Sequence, residues 1–280
     1  MIIKCWGTRG SIPAPGNKAH IYGGNTTCFE IRSEKNNLII IDAGSGIRLL
    51  GKEILEDKNR KDIHLLLTHA HWDHLMGFPF FTPAYFSKYN IYVRGGKYAK
   101  KSLEKYLKHQ MEPPYFPVNF NLLNANFNFQ RGKPKMIKDD PIKIESINLN
   151  HPDGGFGYKI VENGKIFILL TDNELDYHHP KGPSKETFID FCKDADLLYH
   201  DAQYTEDDYN TTKGWGHSTY DSAVELAIKS NVKALGFCHH DPDRTDKELD
   251  ELVLKYQKVI INSGKKIDCF GVKEGSVIKL

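Results

Sequence analysis

Six apolar runs in this chain end in residues able to bind a metal ion: IIIDAG (39–44), LLLTHAH (65–71), INLNH (147–151), ILLTD (168–172), LLYHD (197–201) and GFCHH (236–240). Short apolar runs closed by glycine or charged turn residues are strand signals. Open α/β sheets carry their sites at the carboxyl ends of strands. One such ending means little. Six together point to a shared pocket built on a sheet edge.

The rest of the pattern supplies the sheet and its cover. MIIKCWG, TCFEIRS and NLIIIDAG read as strands, followed by a helix over IRLLGKEILED, where Ile47, Leu50 and Ile54 recur at helical spacing, and then by the strand IHLLLT. The middle offers a helix in YAKKSLEKYLKHQ and a period-two stretch with Phe127 and Phe129. Three further strands follow, PIKIESINLNH, FGYKIVENG and KIFILLTD, with ENGK as a hairpin turn between the last two. The last third alternates, with helices KETFIDFC, YDSAVELAIKS and DKELDELVLKYQKVII between strands; Thr245 and Glu248 form a capping box for the last helix. Strands first and strand–helix alternation later predict an α/β sandwich with helices on its outer faces. No repeat or long linker divides the chain, so one domain over 1–280 is expected.

Composition narrows the partners. The 38 basic and 36 acidic residues leave a formal charge of +2, which gives no electrostatic reason to expect a nucleic-acid or membrane surface. No run approaches the roughly 18 apolar residues of a membrane span. The N-terminal MIIKCWGTRGSIPAPG is too short in apolar length for a signal peptide and reads as a strand and turn. Five dispersed cysteines, an odd number without a C-x-x-C pair, fit a reducing cytoplasm and argue against a thiolate zinc site.

HAHWDH (69–74) is the densest signal. His69 and His71 stand two apart, and Asp73 and His74 follow. Imidazole and carboxylate suit zinc, manganese or iron. A loop leaving a strand can turn the first pair toward one metal and the second pair toward another. The alternative is a His-rich surface loop, but three of 13 histidines and an aspartate in six positions argue against accident.

HAHWDH resembles the metal-binding loop of the metallo-β-lactamase superfamily, and that superfamily's other motifs follow in order from WGTRGSIP to HHDPDR. The resemblance implies an αβ/βα four-layer sandwich holding two divalent metal ions. It implies that His69, His71 and His151 (in LNHPDGGFGY) serve the first metal and that Asp73 and His74 serve the second. Asp172, in LLTDNE, would bridge both. The last ligand is a histidine at the end of a late strand, a place for which His239 and His240 compete. Laid against the related tRNA 3′-processing endonucleases, RNase Z, FCHHDPDR puts His239 in that position and leaves His240 as a hydrogen-bonded neighbour at the pocket rim. Zinc is the metal expected from the ligand types, with manganese or iron also suited.

Two further motifs bear on the reaction. LLYHDAQY resembles the RNase Z segment His-Glu-Ala-Thr, with Asp201 for the glutamate and Gln203 for the threonine. GWGHSTYDSAVELA resembles its His-Ser-Thr segment, which opens a helix. An alkoxide leaving phosphorus needs an acid to protonate it. The resemblance gives that role to His217 with Asp201 as its orienter, so Asp73, His217 and Asp201 are the expected catalytic residues.

RNase Z grips tRNA with an arm inserted between the third histidine and the bridging aspartate. Here only residues 152–171 lie between, and a strand, a turn and a strand consume them. The expectation is therefore a dinuclear phosphodiesterase for a small phosphodiester such as a cyclic nucleotide, with RNA disfavoured, no membrane partner, and nothing against a homodimer. The alternatives are a carboxylic ester or thioester hydrolase of the lactonase or glyoxalase II kind, a tRNA 3′-processing endonuclease, or a non-catalytic metal-dependent sensor. The ester hydrolases need no counterpart of His217, and a sensor should show gaps in the constellation. Weaker assignments complete the reading. Asp42 is expected to brace the histidine loop, GTRGSIP to line the pocket, and Tyr115 and Phe116 in PPYFP either to stack on a base or to pack in the core. His178 and His179 read as surface loop, and His20, His64 and His109 carry no role.

Overall fold

A computed structural model describes residues 1–95, 99–130, 137 and 140–280, without the side chains of 99–102. Tyr98, the first residue of the expected middle helix, lies outside the described residues. Among the described residues, two mixed sheets stack face to face. The first contains β1 (Ile2–Gly7), β2 (Cys28–Arg32), β3 (Leu38–Ile41), β4 (Asp62–Leu66), β5 (Asn90–Arg94), β6 (Asn126–Gln130) and, paired to β1, the late strand β13 (Val277–Lys279). The second runs β7 (Lys143–Asn148), β8 (Phe156–Glu162), β9 (Lys165–Leu170), β10 (Leu197–Asp201), β11 (Ala234–Cys238) and β12 (Asp268–Gly271).

Both sheets follow one plan. β1, β2 and β3 are antiparallel, and β3 to β6 are parallel. β7, β8 and β9 repeat the antiparallel start, and β9 to β12 the parallel continuation. Parallel strands sit buried between two layers and therefore read as continuous apolar runs. In β3, Leu38 and Ile40 face one core while Ile39 and Ile41 face another, all four fully buried. In β9, Ile168 and Leu170 face out toward helices while Phe167 and Leu169 face the opposite sheet.

Three apolar layers result. The first outer layer packs α1 (Ile47–Glu56) and α3 (Ala99–His109) against the first sheet through Ile47, Leu50, Ile54 and Leu107. The central layer lies between the sheets. The second outer layer packs α4 (Lys185–Cys192), α6 (Tyr220–Lys229) and α7 (Asp246–Asn262) against the second sheet. This is the αβ/βα sandwich anticipated from sequence. Thr245 caps α7 by accepting from Glu248 N, and the Glu248 carboxylate accepts from Thr245 N in return.

The structure adds elements that the pattern did not suggest: the short helix α2 (Trp72–Leu75), the polar helix α5 (Glu206–Thr212), and strands β12 and β13. HAHWDH is therefore not all loop, because Asp73 and His74 stand on α2. Among the described residues, no helix is long and apolar enough to cross a membrane.

Candidate metal centre

Every candidate ligand leaves the carboxyl end of a strand or the segment just beyond it. His69 and His71 follow β4, with Asp73 and His74 on α2; His151 follows β7, Asp172 follows β9, and His239 follows β11. The ligand atoms form two groups, each within 4.8 Å throughout: His69, His71, His151 and Asp172, and Asp73, His74, Asp172 and His239. Asp172 belongs to both. Its Oδ1 lies 3.6 Å from His69 Nε2, and its Oδ2 lies 3.1 Å from His74 Nε2 and 3.3 Å from His239 Nε2. Asp73 Oδ2 stands 3.2 Å from both His74 Nε2 and His239 Nε2, and His71 Nδ1 faces His151 Nε2 at 3.1 Å.

The outer nitrogens of four rings are each tied to an oxygen, which sets tautomer and ring direction as at metal sites generally. His74 Nδ1 donates to Asp42 Oδ2 (2.7 Å), and His69 Nδ1 donates to Thr68 Oγ1 (3.0 Å), whose hydroxyl in turn donates to Asp42. His151 Nδ1 donates to the Gly216 carbonyl (3.0 Å), and His239 Nδ1 donates to Gln203 Oε1 (2.9 Å). Asp42 thus braces two of the histidines. GTRGSIP does reach the site, since Ser11 N donates to Asp73 Oδ2 (2.8 Å). Gln203 had no role in the sequence reading; its function depends on pairing with a residue 36 positions away.

The backbone is unusual at the same places. Ser11, Asp42, Asp172 and His239 all take positive φ, between 56° and 65°. Non-glycine residues pay about 1–3 kcal/mol for such conformations, which gather at functional sites. Asp42, Asp172 and His239 each take this conformation within two residues of a strand end, after β3, β9 and β11.

The donor set fits divalent cations. Nε2 of His69 and of His74 are buried without a hydrogen bond of proper geometry, as a metal-facing nitrogen would be. The charge balance agrees. Burial alone would raise the Asp172 carboxyl, yet the imidazoles of His239, His74 and His69 outweigh it and hold that carboxyl well below the ordinary range. Burial opposes charge on His74, but Asp172, Asp73 and Asp42 push its pKa well above normal. His239 rises to about 9 in the same way, against burial and chiefly through Asp172. The carboxylates thus draw positive charge into the cleft, and cations would take the place of those protons. His69 is held well below normal, and His151 at about 4, by burial in the first place. Both rings are therefore neutral and able to bind metal.

Above the two groups stands His217. Its Nδ1 donates to Asp201 Oδ2 at 2.7 Å, and Asp201 is fully buried at the end of β10. The His217 ring stacks on that of His239 (4.8 Å, 21°) and meets His151 edge-on at 5.7 Å. The structure thus brings His217 beside ligands of both groups.

His239 and His240 part company here. His239 turns inward with φ 57°, while His240 pairs with Arg9 in a β-bridge and places Nε2 3.0 Å from the Val272 carbonyl. His240 is fully buried, not at a pocket rim, and burial lowers its imidazole to about 3. His179 is a second correction. It is no surface residue but lies buried against Glu174, whereas His178 is exposed. The ring contacts of Tyr115 and Phe116 are with His109 and Phe80.

A family model described as the beta-lactamase superfamily domain matches residues 37–240, which contain every candidate ligand. The chain belongs to the metallo-β-lactamase superfamily of metal-dependent hydrolases. Within that superfamily, it is 23% identical to a ribonuclease Z from Prochlorococcus marinus (strain MIT 9515) over 280 aligned positions, covering 82% of this chain and 88% of the relative. Its fold superimposes on the short form of human tRNase Z with a TM-score of 0.65 at 19% identity, covering 100% of this chain and 99% of the other. It superimposes on a diphosphatase of the PhnP family with a TM-score of 0.68 at 17% identity, covering 100% and 97%.

Proposed function

We propose that this metallo-β-lactamase-fold chain, one domain over 1–280, is a dinuclear phosphodiesterase that hydrolyses a small phosphodiester, a 3′,5′-cyclic nucleotide being the substrate of choice. The observation that carries the reading is the His217–Asp201 pair beside both ligand groups. His69, His71, His151 and Asp172 would hold one divalent cation, and Asp73, His74, His239 and Asp172 the other, with zinc favoured by the ligand types. Bound there, the cations would supply Lewis-acid stabilisation of charge on the phosphate oxygens and acidify a water molecule.

The chain's own residues supply the rest. Asp201 fixes Nδ1 of His217 as a donor, so Nε2 is the nitrogen that can give a proton to the leaving oxygen. As water oxygen bonds to phosphorus and the P–O bond to the leaving group breaks, that oxygen takes the Nε2 proton. The proton lost by water then restores His217. Asp73, held by Ser11 N, keeps a fixed place between His74 and His239 and counts with His217 and Asp201 as catalytic. A carboxylic ester or thioester hydrolase has no comparable need for such a donor.

Substrate size rests on residues 152–171, where β8, a turn and β9 occupy the interval that holds the tRNA-gripping arm in RNase Z. Long RNA is usually held through many phosphate contacts, and a formal charge of +2 offers few to spare. All five cysteines are free and buried, which suits a cytoplasmic setting. The relatives named ribonuclease Z make precursor tRNA the proper competitor in the test. The metal-loaded protein should show higher kcat/KM on a cyclic nucleotide than on precursor tRNA, and little turnover of thioesters; tRNA winning would overturn the substrate assignment. His217→Ala should keep its metal but lose roughly 10²–10⁴ in rate on alkyl phosphodiesters, and much less on p-nitrophenyl esters, whose leaving group barely needs a proton. Equal losses on both would remove His217 from the role.

A further inference from the structure

Behind the site lies a carboxylate that the reaction as described does not use. Glu174 is fully buried two residues after Asp172. Its Oε2 accepts from Gly216 N (2.8 Å) and from His179 Nε2 (2.7 Å), and its Oε1 accepts from Gly214 N (2.7 Å) and Tyr209 Oη (2.7 Å). Gly214 N, Gly216 N and Tyr209 Oη are donors, and His179 Nε2 is one in its Nε2–H tautomer, so an amide in place of the carboxyl would set its NH2 against a main-chain N–H. A buried carboxylate is costly unless fully hydrogen-bonded, and here it is.

The main chain of Glu174 is tied as well. Glu174 N donates to the Asn150 carbonyl (2.8 Å), and Asn150 Nδ2 donates to the Glu174 carbonyl (2.6 Å). Asn150 precedes His151. Beside these bonds, Ser218 Oγ donates to the Asn173 carbonyl and accepts from Leu175 N. Three segments therefore meet at one residue: the one bearing His151, the one bearing Asp172, and the loop Gly214–His217. That loop carries the Gly216 carbonyl that orients His151 and leads straight into His217. Its backbone packs directly on the His151 ring: a Cβ on Gly216, at φ +99°, would stand 2.0 Å from His151 Nδ1.

We propose that Glu174 is a positioning residue for the reaction, its carboxylate setting the place of the Gly214–Gly216 backbone and thereby of His217 and the His151 ring. The inference rests on the proton-donor reading of His217. A carboxylate that only filled a loop would affect stability and leave the chemistry of proton donation untouched.

The test is Glu174→Gln in the full-length, metal-loaded enzyme, with three readouts. Gln keeps the shape but turns an NH2 group toward two donors. Amide hydrogen exchange in a peptide spanning 213–219 should speed up by ~10-fold or more, the scale expected for losing bonds to a charged acceptor. Turnover of an alkyl phosphodiester should fall by roughly tenfold or more, with a distinctly smaller loss on a p-nitrophenyl ester. Cation affinity should weaken by about 10–100-fold through the displaced Gly216 carbonyl, as for other groups that orient a ligand. Unchanged exchange, or equal losses on the two esters while His217→Ala discriminates between them, overturns the positioning role. Equal losses in His217→Ala as well overturn the proton-donor reading itself. Should Glu174→Gln not fold, Tyr209→Phe removes a single donor from a half-buried side chain and must shift all three readouts in the same directions by smaller factors; no shift overturns the proposal.

Discussion

Gly10→Ala tests the second cation position through a single methyl group. Gly10 lies in GTRGSIP with its N–H on the His240 carbonyl. A Cβ built there would stand 2.3 Å from His239 Nδ1, 2.4 Å from Cε1 of the same ring and 2.9 Å from Gln203 Oε1. Ordinary contact begins near 3.4 Å, so the ring must retreat by about 1 Å or the loop must. Zinc–imidazole bonds hold to about 2.0–2.1 Å, and sites tolerate deviations of about 0.2 Å. The displacement is several times that tolerance, and the retreat also breaks the Gln203 bond that aims His239. If the loop moves instead, Ser11 N leaves Asp73.

Overpacking of this kind costs about 1–3 kcal/mol of stability. Loss of a group that merely orients a ligand already weakens metal binding by about 10–100-fold, so displacing the ligand itself should exceed that range. The expected result is a folded protein whose tightly held metal falls from two ions per chain toward one, measured by elemental analysis after dialysis and by metal titration. Gly164→Ala is the control for metal binding: its Cβ meets nothing within 4 Å, and φ +76° makes the substitution strained in the β8–β9 turn, so it should lower stability and leave metal binding alone. A Gly10→Ala protein with two ions at wild-type affinity and full activity would refute the assignment of His239 as a ligand.

Asp172→Ala should remove metal and activity together, since Asp172 serves both groups, and elemental analysis of protein purified without chelator should show wild type near two ions per chain; a wild type that is active and metal-free would sink the mechanism. Chelation should lower the melting temperature, because a ligand present at about 100 times its dissociation constant contributes about 2.7 kcal/mol. Far from the site, His64 is buried against the Tyr92 ring, and burial, followed by Arg94, lowers its imidazole from 6.5 to about 4. The unfolded chain therefore binds that proton first: stability is fully present above pH 6.5 and declines as pH falls toward 4, by about 3 kcal/mol at completion. His64→Phe should flatten this part of the pH–stability curve in denaturant titrations, and an unchanged slope would exclude His64 as its source.

What was legible in the sequence follows the range of the interactions involved. HAHWDH could be read because four metal-competent side chains lie within six residues, and the apolar run before them marks the strand that delivers them. The continuous apolar runs of β3 and β9 likewise read as strands. His151, Asp172 and His239 are distant from that loop and from one another; the repeated strand endings pointed to one pocket, and the order of family motifs gave each residue its place in it. The choice between His239 and His240 turns on a positive φ and a bridge to Arg9, neither of which leaves a mark on two adjacent histidines. Glu174 and His179 sit in TDNELDYHHP, a polar stretch whose composition suggests a loop; the partners of Glu174 from Tyr209 to Gly216 are 35 to 42 positions away. Helix α5 has no buried face, and its one local sign was the capping pair Thr205 and Asp208. Strands β12 and β13 are too short for periodicity to register.

The location of the site follows from the doubled plan of the fold. A right-twisted sheet with parallel strands delivers its loops to one end, and two such sheets packed face to face bring two sets of strand ends together. The first sheet contributes His69, His71, Asp73 and His74 after β4, backed by Asp42 after β3; the second contributes His151, Asp172 and His239 after β7, β9 and β11. Neither sheet alone supplies a full ligand set for either group, because Asp172 must cross to the histidines of β4 and α2. The cations would therefore bind across the seam, and their binding energy would resist any sliding of one sheet over the other. The proposed proton-donor pair and its proposed positioning residue come from the second sheet, whereas Asp73 comes from the first. Asp201 ends β10, Gln203 and His217 follow it, and Glu174 follows β9, so the proposed proton donor would be held by segments separate from the loop that carries most of the candidate ligands.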